Sequence, residues 1–262
     1  MYPELFHIEF LHTYGVLVAV AFLAALWMAG RLARTKGLNP EAVTNLGIYC
    51  ALAAIAGAKL MMFVVDWPYY RAHPDQIFSV ATLQAGGVFY GGLIAALGVA
   101  WWYMRRTGLP GLTTADVFAP AIALGHGIGR IGCFAAGCCW GIACQRPWAV
   151  TFTDPNAQNL VGVPLETPLH PTQLYEAFAE FCIFGILYWR FHKPHGKGTI
   201  LGLYMLLYPA ARFLVEFFRD HGVEPKPFGG MLNTEQWISL ALMAASAMLF
   251  FRSSSPATKP AH

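Results

Sequence analysis

Six charged residues fall where charge is least expected. Lys59, Arg130 and Arg212 lie inside or at the rim of long apolar runs, and so do Glu176, Glu180 and Glu216. A charge at membrane depth costs several kcal/mol, so it tends to face a cavity or a partner and to mark function. Arg130 stands in the glycine-dense segment GHGIGRIGCFAAGCCWG, 125–141. A guanidinium there offers a planar fork to a phosphate, and the glycines would let backbone N–H groups meet an anion. The segment RFLVEFFRD, 212–220, spaces Arg212, Glu216 and Arg219 at i, i+4 and i+7, which predicts one helical stripe suited to an anionic head group. Plainer readings stand beside these: a structural ion pair or snorkelling for the basic residues, helix packing for the glycines, and a rim Glu–Arg pair for Glu216. For Glu176 and Glu180, one turn apart on a shared face, an end-of-helix pair bonding to a loop is the favoured reading.

Cys133, Cys138, Cys139 and Cys144 crowd one end of the same glycine segment, while Cys50 and Cys182 fall mid-run and read as packed side chains. The spacing matches no usual zinc pattern. Three readings stay open: a disulfide joining Cys133, Cys138 or Cys139 to Cys144, small packed hydrophobes, or metal and redox chemistry.

The elements that must position these groups follow from composition. The chain has 262 residues, 56% hydrophobic and only 12% charged, with mean hydropathy +0.48. A soluble domain carries about 25% charge. A soluble single-core protein, a disordered chain and a broad basic nucleic-acid face are disfavoured. Long continuous apolar runs predict spanning helices, not the short alternating segments of a membrane barrel. Seven are expected, at 14–30, 45–65, 83–104, 116–136, 173–191, 199–218 and 234–251. The polar, Pro-rich stretch 140–172 reads as a small cap between spans 4 and 5. The fold expected is thus an all-α polytopic membrane protein, one domain over 1–262.

Ten basic residues follow spans 1, 3, 5 and 7 (Arg31, Arg34, Lys36, Arg105, Arg106, Arg190, Lys193, Lys197, Arg252, Lys259), against four on the other side (Arg71, Arg146, Arg219, Lys226). Cytoplasmic loops carry the excess. The N-terminus and the cap are therefore expected outside and the C-terminus inside. Trp67, Tyr69, Tyr70, Trp101, Trp102, Tyr103, Tyr188 and Trp189 sit near span ends, as an aromatic belt would. The first 13 residues lack a basic region and a small-residue cleavage site, so no removable signal peptide is expected.

Taken in order, His12–Thr13–Tyr14–Gly15, GGVFYGGLIAALG (86–98), GHGIGRIGCFAAGCCWG, HPTQLYEA (170–177) and YPAARFLVEFFRD resemble the motif set of the bacterial prolipoprotein diacylglyceryl transferases across nearly the whole chain. The resemblance implies transfer of a diacylglyceryl group from phosphatidylglycerol to the cysteine thiol beside a prolipoprotein signal peptide. A thioether forms and glycerol phosphate is released, at the outer leaflet of the bacterial inner membrane. It implies catalytic roles for Arg130, Arg212, Tyr90 and Tyr14. It places the phosphatidylglycerol head group among Arg130, Arg212, Arg219, Tyr208, Gly91, Gly92, Glu216 and His170. The expected partners are phosphatidylglycerol, the prolipoprotein and membrane lipids, with no nucleic acid, cofactor or metal.

The chain departs from the family at the chemistry. The family's F-H-G-G is Phe89–Tyr90–Gly91–Gly92 here, so the histidine proposed as base is a tyrosine. The family's G-N-F-x-N-G-E is Gly132–Cys133–Phe134–Ala135–Ala136–Gly137–Cys138, and Lys59 replaces an arginine. A phenol titrates near pH 10, so Tyr90 is expected to orient the head group, with His12, His126 or water as other candidate proton acceptors. The departures also motivate two alternatives: a transferase of the same fold for another lipid or acceptor, and a non-catalytic membrane protein binding lipid or thiols.

Overall fold

A computed structural model describes residues 13–79, 82, 86–222, 227 and 230–253. It is helical, with long helices α1 (Thr13–Thr35), α2 (Pro40–Val65), α4 (Phe89–Thr107), α5 (Gly111–Ala136), α7 (Thr172–Phe191), α8 (Thr199–Val215) and α9 (Thr234–Ser253). Short helices α3 (Trp67–Ala72) and α6 (Pro155–Val161) lie between them. Among the described residues four segments are long and apolar enough to cross a membrane: Thr13–Thr35, Pro40–Val65, Gly111–Ala136 and Thr199–Phe218. Leu23, Leu52, Ile55, Leu60 and Val64 are all exposed. Exposed apolar side chains along such helices fit a lipid solvent.

The chain divides into two compact units, Met1–Ala29 with Ala115–His262, and Gly30–Thr114. The second is built on α2 and α4. Asn39 caps α2, its side chain accepting from the Glu41 and Ala42 amides at 2.9 and 3.3 Å, and Pro40 occupies the first turn, where its missing N–H costs nothing. α2 and α4 approach through glycine. A Cβ on Gly92 would stand 2.8 Å from the Ala54 carbonyl oxygen, and one on Gly57 would stand 2.5 Å from that of Gly91. Backbones this close are typical of small-residue packing between membrane helices. Lys59, on α2, donates to the Thr82 carbonyl at 2.5 Å. At the far end of α4, Arg105 and Arg106 lie over the Trp101 and Trp102 rings at 5.1 and 5.9 Å. Tyr70, expected in the aromatic belt, is instead buried, edge-on to Phe63 at 4.9 Å.

In the first unit α5 stays helical from Gly111 to Ala136 despite Pro120 and its glycines. The N–H groups of the glycine run are therefore spent inside the helix and do not meet an anion as the sequence suggested. Their use is packing: positions 125, 127 and 132 face Ala21 and Ala25, the Phe181 ring, and Leu17 and Tyr14. Asp116, buried near the start of α5, accepts from the Gly198, Ile200 and Leu201 amides at 2.7, 2.9 and 2.9 Å. It thereby caps α8, whose own cap position is glycine.

The 140–172 stretch has its own small core. Phe152, Ala157, Val163 and Leu169 are buried together, with Trp140, Val150, Val161 and Leu165 packed around them. Strands β1 (Val150–Thr151) and β2 (Pro168–Leu169) pair antiparallel, and Asp154 caps α6 through the Asn156 amide at 2.8 Å. A backbone bond from Gly141 to His170 (3.0 Å) joins the two ends of this segment, and one from Ile142 to Phe218 (2.9 Å) ties it to the turn after α8.

Candidate active site

Glu176, on the first turns of α7, is the hub of the buried charges. Its Oε1 lies 2.6 Å from Arg130 Nη2 of α5, and its Oε2 lies 3.3 Å from Arg212 Nη1 of α8. Arg212 Nη2 in turn reaches Glu216 Oε2 at 2.9 Å, and Glu216 Oε1 meets His221 Nε2 at 2.6 Å and Asn233 Nδ2 at 3.2 Å. Both carboxylates are buried, Glu176 at 2% and Glu216 at 3% exposure. Two arginines from sequence positions 82 residues apart are thus joined by one carboxylate on a third helix. The loop pairing expected for Glu176 is not what forms.

The reason is physical. Breaking a buried ion pair by removing one partner costs about 3–5 kcal/mol, because the other charge is left uncompensated. A chain that carries Arg130 and Arg212 at this depth must therefore supply carboxylates beside them. The buried Nε of Arg130 has no hydrogen-bond partner. Arg212 also faces a cavity of about 400 Å³ lined by Trp140, Arg212, Arg219, Asp220, His221, Gly222 and Glu235. Guanidinium donors held in fixed orientation around an open volume are what a phosphate requires.

The helical stripe expected over 212–219 does not run to its end. α8 stops at Val215, residues Glu216–Phe218 form a 3-10 turn, and Arg219 follows in extended conformation with φ −87° and ψ 143°. Arg219 pairs its backbone with Gly141 in an isolated bridge, and its side chain reaches the same cavity as Arg212. The break turns Arg219 toward the cap segment and keeps two guanidiniums on one volume.

His126 sits one turn before Arg130 on α5. Its Nδ1 lies 2.7 Å from Glu180 Oε1 and its Nε2 lies 3.7 Å from Glu176 Oε1. The ring is edge-on to Tyr208 at 5.1 Å, and Tyr208 stacks on Tyr204 at 5.7 Å. Among the predicted residues, Arg130, Arg212, Glu216 and Tyr208 are therefore gathered around the same carboxylates. Tyr14 packs beside Gly132, within electrostatic reach of Arg130.

His170 is engaged elsewhere, its Nδ1 at 2.9 Å from the Tyr175 hydroxyl, which accepts from Trp148 Nε1 at 2.7 Å. Its ring also lies against Phe218 at 5.1 Å. Tyr90, Gly91 and Gly92 belong to the α2–α4 unit, with Tyr90 exposed and both glycines buried in the helix contact. His12 lies outside the described residues. Sequence reasoning underrated Glu176 and the Glu180–His126 pair. The i, i+4 spacing of the glutamates was visible, but not which helices face them.

At the end of α5, Cys133, Cys138 and Cys139 bring their sulfurs within 4.8 Å of one another, and all three are free thiols. Cys144 is also free, so none of the expected disulfides forms. The thiols of Cys133 and Cys138 hold that of Cys139 well below the usual thiol range, and Arg219 and Arg130 act in the same direction.

Comparison with known proteins identifies the family. A sequence model described as prolipoprotein diacylglyceryl transferase matches residues 3–252. A phosphatidylglycerol–prolipoprotein diacylglyceryl transferase of Clostridium tetani is 32% identical over 94% of this chain and 94% of its own length. That of Bordetella avium is 35% identical over 92% of this chain and 89% of its own. That of Vibrio campbellii is 34% identical over 90% and 84%. With its motifs in order and similarity along almost its full length, this chain belongs to the prolipoprotein diacylglyceryl transferase family.

Proposed function

We propose that the chain is a phosphatidylglycerol–prolipoprotein diacylglyceryl transferase of the bacterial inner membrane. The observation that carries this reading is the Arg130–Glu176–Arg212 array beside an open, guanidinium-lined cavity. In the reaction the cysteine sulfur of the prolipoprotein forms a bond to the glyceryl carbon that bears the phosphate. The carbon–oxygen bond breaks, and its electron pair leaves on glycerol phosphate. Negative charge on the departing phosphate is where fixed cations act most strongly. Arg130 and Arg212 supply them, with Arg219 holding the outer side of the head group. Glu176 and Glu216 fix both guanidiniums in direction before substrate arrives, so little reorganisation accompanies charge transfer.

The thiol must lose its proton to become the nucleophile. His126 is the acceptor we assign, through Nε2, with Glu180 fixing the ring from the Nδ1 side. Tyr208 bounds the ring, Tyr14 borders the arginine, and the exposed Tyr90 is assigned to head-group binding, while Gly91 and Gly92 serve the α2–α4 contact. His170 orders the cap segment at the rim. Seven spans, an external N-terminus, a periplasmic cap over 140–172 and a cytoplasmic C-terminus, all in one membrane domain, complete the reading. The basic-residue asymmetry and the seven long helices support that topology.

The decisive experiment incubates the purified chain with phosphatidylglycerol and a lipobox peptide and measures the peptide's mass. A gain of one diacylglyceryl group on the cysteine is expected, with release of glycerol phosphate. An unmodified peptide alongside turnover of the lipid onto another acceptor overturns the reading.

A further inference from the structure

We infer that Cys133, Cys138 and Cys139 form a binding site for one thiophilic monovalent cation, Cu(I), a function that diacylglyceryl transfer does not call for. The three sulfurs converge within 4.8 Å. They come from two pieces of chain: the last turn of α5 and the turn that follows it. That turn is built for the convergence. Gly137 takes φ +76°, and Cys139 takes φ +61°, one of only two non-glycine residues with positive φ among those described. A left-handed conformation costs a residue with a Cβ roughly 1–2 kcal/mol, so it persists where its surroundings impose it. Here the neighbouring carbonyls are clamped by α7. Thr172 Oγ1 donates to the Cys139 carbonyl at 2.7 Å, and Gln173 Nε2 donates to that of Cys138 at 2.6 Å.

Ordinary packing explains this poorly. Small apolar side chains would fill the same space without a strained backbone. A disulfide would use two sulfurs, strand the third, and find adjacent Cys138 and Cys139 a poor pair. The donor set points to the ion. Among the described His, Cys, Asp and Glu side chains no fourth ligand joins the three sulfurs. Structural zinc sites are almost always four-coordinate, whereas soft thiolates by themselves suit Cu(I). Charge balance agrees. Three thiolates around Cu(I) carry a net −2, and two guanidiniums lie near: Arg130 Nη1 is 3.9 Å from Cys133 Sγ, and Arg219 acts electrostatically on Cys139. Binding releases the thiol protons to solvent. None of the three ligands has a part in the transfer reaction above, so the site can fail or hold without reference to it.

The test titrates the full chain, purified in detergent under anaerobic reducing conditions, with Cu(I) against a chromophoric Cu(I) chelator. One equivalent withheld from the chelator is expected. Cys133→Ser, Cys138→Ser and Cys139→Ser should each weaken binding by more than the roughly 10–100-fold that loss of an outer-shell partner costs, with Cys50→Ser and Cys182→Ser unchanged. Copper retained equally by the triple serine variant overturns the site, as does Zn(II) held more tightly by the same three sulfurs. If a serine variant does not insert, alkylation of the unmodified chain decides: three of its six cysteines protected on Cu(I) loading supports the site, and none protected overturns it.

Discussion

The α2–α4 pair and the α5–α7–α8 cluster solve the same problem by opposite means. In the first, helices meet through absent side chains: Gly57, Gly91 and Gly92 bring backbone against backbone, and cross-helix polar contacts are few. In the second, helices meet through charges, with Glu176 joining Arg130 to Arg212 and Glu216 carrying the chain on to His221. Lipid gives helices no hydrophobic reason to associate, so both devices hold helices together. They differ in what they leave available. The glycine contact is closed and reads as scaffold. The charged contact lies beside a cavity into which Arg212 and Arg219 face, the volume to which the proposed function assigns the anionic head group.

Four expected outcomes sharpen this contrast. The largest concerns the charged cluster. Arg130→Lys and Arg212→Lys keep the charge but lose the planar fork, and each should lower transfer by roughly 10²–10³-fold. Peptide-modification rates measure this, with membrane insertion followed in parallel. Wild-type rates in both would make the cluster as purely structural as the glycine pair.

The next effect belongs to the other region. In Gly91→Ala the new methyl would collide with the Gly57 carbonyl and the Met61 side chain. Overpacking of this kind costs about 1–3 kcal/mol, read as a lower unfolding temperature in detergent. An unchanged temperature would show that α2 and α4 can separate freely.

A smaller loss is expected at Asp116→Ala, which strips three amide bonds from the start of α8. A lost cap costs about 0.5–2 kcal/mol. Stability should fall while Arg212, farther along α8, keeps its function. Activity lost without any loss of stability would assign Asp116 to the chemistry instead.

The smallest effect is Tyr90→Phe, expected to raise the lipid KM by about tenfold or less, a change of about 1.4 kcal/mol, with kcat and its pH profile kept. A shifted pH profile would move the proton acceptor from His126 to Tyr90.

Much of this was legible in the sequence. The helical character was legible: long apolar runs became long helices, and four of these among the described residues are long and apolar enough to cross a membrane, where a helix satisfies its own backbone. Arg130 and Arg212 could be singled out because charge within such runs demands a partner. Family membership was legible too, since motif order survives where single residues such as Tyr90 have changed. What the sequence could not specify was partnership across distance. Glu176 was readable as a buried glutamate, but its role as the bridge between two arginines depends on α5, α7 and α8 meeting at that height. Asp116 carries no local signal, because the helix it caps begins 83 residues later. The break after Val215 defeated a simple periodic count, for backbone pairing of Arg219 with Gly141 outweighed one more helical turn. The glycines of α5 offered two readings by type alone, packing or anion binding. Only the unbroken helix decided between them, by using their N–H groups itself. Composition and periodicity set which segments become long apolar helices; the meeting of distant side chains was decided by the tertiary structure.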